Sequence, residues 1–222
     1  RIWSILLSMT MLLSLLPVTA LANNDGLPTA SGTNFFANGT AITITADAPL
    51  DATEATLDGF TAKGTSAYIS WDDSGTKKYI GVDAAKYVNV FGGADGRTEA
   101  VSVESTSITM TGGTLWNLFG GNYGEEGRDT DFCSTVTGNV NISLSGTAVV
   151  KNLLHGAGAR NTCVNGTITM EFNNVDLSDS RNQLYVNGGS WGNGNEGTRN
   201  IADGTMDTDA VASKVIIKAE NS

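Results

Sequence analysis

Four arginines, Arg97, Arg128, Arg160 and Arg199, stand in polar segments of this chain at spacings of 31, 32 and 39 residues. A guanidinium pairs carboxylate or sulfate groups in a bidentate way. Arginines stacked at a regular interval could therefore clamp successive anionic groups of a polysaccharide. A plainer reading stays open and is preferred: each pairs a nearby acid such as Glu99, Asp129 or Asp131, or sits in water. Aromatic side chains recur beside the same segments, at Trp116, Phe119, Tyr123, Tyr185 and Trp191. Exposed aromatics can stack on sugar rings, although packing is the default role. Trp191, set among Gly and Asn in GGSWGNGN, is the one expected to be exposed.

The remaining chemistry-bearing residues point less far. Acids cluster at Asp72-Asp73, Glu125-Glu126, Asp129/Asp131, Asp176/Asp179 and Asp203/Asp207/Asp209. None fits the EF-hand loop or the calcium nonapeptide repeat, so solvated turns are the better reading and no metal site is assigned. A glycoside hydrolase would need two placed carboxylates, and a lyase a carboxylate-bound calcium with a basic residue. Asp129, Asp131, Arg128 and Arg160, near His155, would be the candidates, but nothing in the sequence fixes their geometry. His155 is the only histidine, so any serine or cysteine triad would depend on it alone; a structural histidine is favoured. No catalytic residue and no cofactor is therefore assigned. Three sequons, at Asn38, Asn141 and Asn165, are what a chain rich in Thr and Asn carries by chance.

The arginine segments are positioned by a repeat. Lys86–Gly93 reads KYVNVFGG, Leu115–Gly121 reads LWNLFGG, Val149–Gly156 reads VVKNLLHG and Gln183–Gly189 reads QLYVNGG. Each is a short apolar run ending on glycine, followed by a polar turn with its arginine. A period near 30 residues of strand-type sequence marks a stacked repeat. An alternating strand precedes each mark: Ser107–Thr111 (SITMT), Asn141–Ser145 (NISLS) and Thr167–Glu171 (TITME). Their Ile108, Met110, Ile142, Leu144, Ile168 and Met170 should point inward. Corners follow at Gly112-Gly113, Gly146 and Asn173-Asn174, residues that tolerate φ > 0. This order predicts an all-β fold, a right-handed parallel β-helix over residues 87–222. A β-sandwich or jelly roll is the alternative. Residues 23–86 read as a leader and a β-rich cap, with a strand at Ala41–Ala46. Within the cap, strands Ala67–Trp71 and Lys78–Val82 flank the hairpin turn Asp72-Asp73-Ser74-Gly75. A further strand is expected at Lys214–Lys218.

Residues 1–22 read as an export signal. Arg1 is the remnant of a positive region, Ile5–Leu16 is a short apolar stretch, and Ala20-Leu21-Ala22 is a cleavage site. The stretch is shorter than the roughly 20 apolar residues a membrane span needs. No membrane association is expected after cleavage. Removing Arg1 takes the net charge from −10 to −11, which disfavours nucleic acid as a partner. Export permits a disulfide between Cys133 and Cys163, each three to five residues after its repeat's arginine. Two cysteines and one histidine cannot complete a zinc site without carboxylates.

The combination ISWDDSG…KYIGV, VNVFGG, ITMTGGTLWNLFGGNYG and ISLSGTAVVKNLLHGAG resembles large adhesin-like surface proteins of gut Gram-positive bacteria. The resemblance runs over about Ala41–Gly189. It implies a right-handed parallel β-helix at the cell surface, in a structural or adhesive role, with a polysaccharide, host glycan or host surface protein as partner. It carries no catalytic residues. In such proteins a wall-attachment module is usually C-terminal, so this chain is expected to be a fragment of a longer one. His155 and Phe172-Asn173-Asn174 depart from the repeat pattern.

Overall fold

The structure is a computed structural model that describes residues 26–61, 65–124, 134–160, 162–177, 185–187 and 214–222. The expected export signal lies outside these residues. Among the described residues, β-branched and aromatic side chains, broken by Gly and Asn, form strands over much of the length. In order these are β1 (Thr29–Ser31), β2 (Asn34–Phe36), β3 (Ile42–Thr45), β4 (Thr53–Glu54), β5 (Ala67–Asp73), β6 (Thr76–Val82), β7 (Asn89–Phe91) and β8 (Ser102–Val103). There follow β9 (Thr106–Phe119), β10 (Ser134–Val136), β11 (Val140–His155), β12 (Thr162–Val164), β13 (Thr167–Asn173), β14 (Tyr185–Asn187) and β15 (Lys214–Glu220). A 3-10 turn at Ala84–Lys86 is the one helical element among the described residues.

The fold is all-β, with a curled, mixed sheet of 12 strands and a parallel sheet of three. The antiparallel pairs are β1 with β2, β3 with β5, and β5 with β6, so they fall in the expected entry region. The β5–β6 hairpin closes on Ser74 and Gly75, with φ of 50° and 83°, as a two-residue primed turn requires. That turn is tighter than Asp72–Gly75, because both aspartates belong to β5. After Val82 every described ladder is parallel, which is not the pairing of a jelly roll or sandwich.

Parallel register aligns like with like. Ile42, Ile108, Ile142, Met170 and Ile217 occupy one row, and Ile44, Met110, Leu144, Phe172 and Ala219 the next. The six residues expected inward, from Ile108 to Met170, are at most 1% exposed. Each such side chain contributes about 1.5–3 kcal/mol by leaving water. The corners are sites of local twist within continuous strands. Gly113 (φ 87°) and Gly146 (φ 61°) bend β9 and β11, and Asn174 (φ 49°) follows β13. Near Gly146 the β9–β11 register slips by one residue between Leu144 and Thr147, a bulge that bends the strand.

The glycine marks have a different cause. Gly92 and Gly120 do not adopt φ > 0; a Cβ on Gly92 would collide with the Gly120 carbonyl, and one on Gly120 with the Gly156 carbonyl. Successive passes of the chain lie backbone against backbone there, and only glycine leaves the room.

Candidate functional site

The site is built on the residues just before the glycine marks. Strands β2, β7, β9, β11 and β14 stack in parallel, with Asn34 beside Asn89, Asn89 beside Asn117, and Asn117 beside Leu153. Alternation sends Phe35, Val90, Leu118 and Leu154 into the main core. Phe36, Phe91 and Phe119 take the opposite face and form a second cluster with Leu153, Ala159 and Tyr123. Their rings stack in one column: Phe36 to Phe91 at 5.2 Å, Phe91 to Phe119 at 4.6 Å, and Phe119 to the His155 ring at 5.7 Å. His155, 3% exposed, thus continues an aromatic ladder.

Beside the rings runs a ladder of amides. Asn89 Nδ2 donates to Asn34 Oδ1 at 2.7 Å, Asn117 Nδ2 to Asn89 Oδ1 at 2.6 Å, and Asn152 Nδ2 to Asn117 Oδ1 at 2.9 Å. The backbone N–H of Leu153 also donates to Asn117 Oδ1, at 2.9 Å. In strict register Leu153 faces Asn117. The second β11 irregularity, between Val150 and Leu153, brings Asn152 to the ladder instead.

The polar turns close over this face. Bridges from Tyr123 to Asp95 on one side and to Ala159 on the other set Tyr123 in the pass between those carrying Arg97 and Arg160. Its ring stacks on Phe91 at 5.0 Å. The guanidinium carbons of Arg97 and Arg160 lie 5.1 and 5.5 Å from its centroid, within cation–π range. Arg97 is also held by Asp95 through Nε at 2.7 Å and Nη2 at 2.5 Å, and donates to Ser31 Oγ at 3.2 Å. The Asp95 hydrogen bond, which outweighs partial desolvation, raises the Arg97 pKa above its ordinary value. Its acid is thus Asp95 and not Glu99. Arg160 sits in the left-handed region with φ of 67°.

Between ladder and turn lies an open pocket of about 270 Å³. Asn89, Asn117 and Asn152 line one side, and Tyr123, Ala159 and Arg160 the other, over Phe91, Phe119 and Leu153. The expected site residues divide accordingly. Arg97 and Arg160 come together through Tyr123. Arg128, Arg199 and Trp191 lie outside the described residues, as do Cys133, Asp129 and Asp131. Cys163 is buried in β12, paired in register with Thr135. Trp116 meets the 60%-exposed Tyr87 edge-to-face at 4.5 Å. Among the described residues no three His, Cys, Asp or Glu side chains gather as a metal site, and no helix is long and apolar enough to cross a membrane.

The asparagines went unread in the sequence, although a signal was there. Asn34-Phe35-Phe36, Asn89-Val90-Phe91 and Asn117-Leu118-Phe119 repeat an Asn-x-Phe triplet that places amide and ring on one face. No protein family, curated protein or solved structure matches this chain.

Proposed function

We propose that the chain is an exported cell-surface module with a structural or adhesive role, folded after its entry region as a right-handed parallel β-helix. Three parallel stacks support the coil: β2–β7–β9–β11–β14, β3–β9–β11–β13–β15 and β8–β10–β12. β9 and β11 each serve two of them, so one pass of the chain contributes to all three faces. A right-handed sense follows the general rule for parallel crossovers. The export-signal pattern and the resemblance to surface proteins support the location.

The observation that carries the role is the ladder face. Three successive passes each add one amide and one buried ring, and the half-buried amide edge at Asn34, Asn89 and Asn152 is the regular surface offered to an extended partner such as a polysaccharide or host glycan. An enzyme would instead converge ionisable groups on one cleft. Asp95, bridged to Tyr123 in the neighbouring turn, is engaged with Arg97.

The test is retention of the exported chain on immobilised polysaccharides and mucin-type glycoproteins, run beside a screen for reducing-end or unsaturated-product release. Retention without turnover supports the surface module. Product release that is abolished by Asp131→Ala would replace it with a polysaccharide lyase or hydrolase.

A further inference from the structure

We infer that the pocket between the asparagine ladder and the Tyr123–Arg160 turn is a subsite for one ring of an uncharged, hydroxyl-rich glycan. This rests on the surface-module reading and names its ligand class.

The pocket's size limits the occupant. Its 270 Å³ lies just below the roughly 300 Å³ at which drug-sized sites begin, so it admits a single ring. Its polar wall then sets the chemistry. A side-chain amide has two N–H donors and two acceptor lone pairs. Among the described residues, Asn89 spends one N–H on Asn34 and one lone pair on Asn117, which leaves one of each. Asn117 accepts from both Asn152 and Leu153 and donates to Asn89, which leaves one N–H. Asn152 adds the N–H that it does not give to Asn117. Adjacent rungs are about 4.8 Å apart. The wall thus presents three N–H donors to one counted acceptor, held at fixed spacing, which suits hydroxyl groups, since each oxygen can accept and also donate. Phe91, Phe119 and Leu153 back this wall as buried, mutually packed side chains, so the amides and not a stacking platform set the specificity.

Charge selects against acidic glycans. The chain carries −10 overall, and a polyanion would meet that field before reaching the pocket. Arg160 also lines the pocket, but its guanidinium is engaged over the Tyr123 ring, so the amides are the groups left to select a ligand.

The experiment measures binding of the whole chain, by calorimetry, to neutral cello-, xylo-, manno- and galacto-oligosaccharides and to oligogalacturonates. Asn152→Ala is compared with Asn34→Ala, a ladder residue that does not line the pocket, and with Trp116→Ala. We expect saturable binding of a neutral oligosaccharide, and a Kd about tenfold higher in Asn152→Ala, the size of one or two lost hydrogen bonds. Asn34→Ala and Trp116→Ala should bind as the parent does. Binding only of oligogalacturonates overturns the inference. Equal loss in Asn34→Ala shows that the ladder acts through folding, and loss confined to Trp116→Ala moves the subsite to the Tyr87–Trp116 pair; either overturns it. Neutral-glycan binding unchanged in Asn152→Ala overturns the pocket and leaves the surface-module reading intact. No retention of any glycan, in this experiment or on the immobilised polysaccharides and glycoproteins, sinks both.

Discussion

Asn117 donates to Asn89 across a 2.6 Å hydrogen bond that spans 28 residues of chain. The same side chain accepts from Asn152 and from the backbone of Leu153, so one amide ties three successive passes together. A neutral hydrogen bond nets about 1 kcal/mol, but a buried donor left without a partner costs more.

Asn117→Ala should therefore destabilise the fold by about 1–3 kcal/mol, because the Leu153 N–H loses its acceptor at a 9%-exposed position. Asn34→Ala, at the ladder's first rung, removes one hydrogen bond and should cost about 1 kcal/mol or less. Urea unfolding of both variants checks this. Equal losses would mean that the ladder's middle has no special weight.

Glycines in the two kinds of position should respond differently to the same substitution. Gly120→Ala places a methyl against the Gly156 carbonyl and the Val140 side chain, where backbone must move. The cost should be about 3 kcal/mol or more. At Gly75 nothing lies within 4 Å of a new Cβ, but φ is 83°, so alanine should cost only about 1–2 kcal/mol. Gly75→Asn should recover most of that, since asparagine accepts the left-handed region, whereas Gly120→Asn should not. Thermal melts of the four variants separate close approach from backbone strain.

These contrasts mark where the sequence was readable. Strand alternation exposed the inward rows, because Ile108/Met110, Ile142/Leu144 and Ile168/Met170 repeat with period two and a buried row tolerates little else. The corner residues Gly113, Gly146 and Asn174 were legible from their conformational freedom. The Phe-Gly-Gly mark was visible as a repeat, but its reason was not: carbonyls from the next pass fill the space, and they are some 28–36 residues away in the chain. The pairing of Arg97 with Tyr123 was hidden for a related reason. In the sequence Arg128 is the arginine between Arg97 and Arg160, yet the ring that meets those two, Tyr123, comes five residues before it. A variable-length polar segment breaks the period there, and spacing alone cannot say which residue of the segment faces inward.

Arg97 gives a prediction with a definite pH sign. Its pKa is raised, chiefly by the Asp95 hydrogen bond, so its contribution is complete below the ordinary arginine range and fades only as pH rises through the still higher folded value. Titration from neutral pH to about pH 11 should leave that contribution intact. Arg97→Lys keeps a charge but loses the two-pronged contact with Asp95 and the flat stacking on Tyr123. At a side chain about one-third exposed, solvent screening limits the cost to about 0.5–1 kcal/mol. Stability of parent and variant across that range checks both parts. A difference that disappears well below the arginine range would remove the Asp95 pairing as its source.

The Cys133–Cys163 bridge is the last prediction. Thr135 lies opposite Cys163 in the parallel pairing of β10 and β12, and neighbouring strands are about 4.8 Å apart. Cys133 comes two residues before Thr135 in the chain, so its Cα is at most about 7 Å from that of Thr135. A disulfide between the two cysteines is therefore within reach, although its geometry demands Cα atoms about 4.4–6.8 Å apart. Cys163 is 4% exposed and is not a free thiol. Closing a loop of about 30 residues should contribute roughly 3–4 kcal/mol by restricting the unfolded chain. Oxidised protein, unfolded in denaturant, should take up no thiol label, and reduction should lower its denaturation midpoint. Cys133→Ala and Cys163→Ala should lower it by the same amount as each other, and reduction should then lower neither further. Two labelled thiols in the oxidised, unfolded protein would end the proposal. A larger loss in Cys163→Ala than in Cys133→Ala would add a packing role for the buried sulfur, since only Cys163 is described within the core-facing sheet.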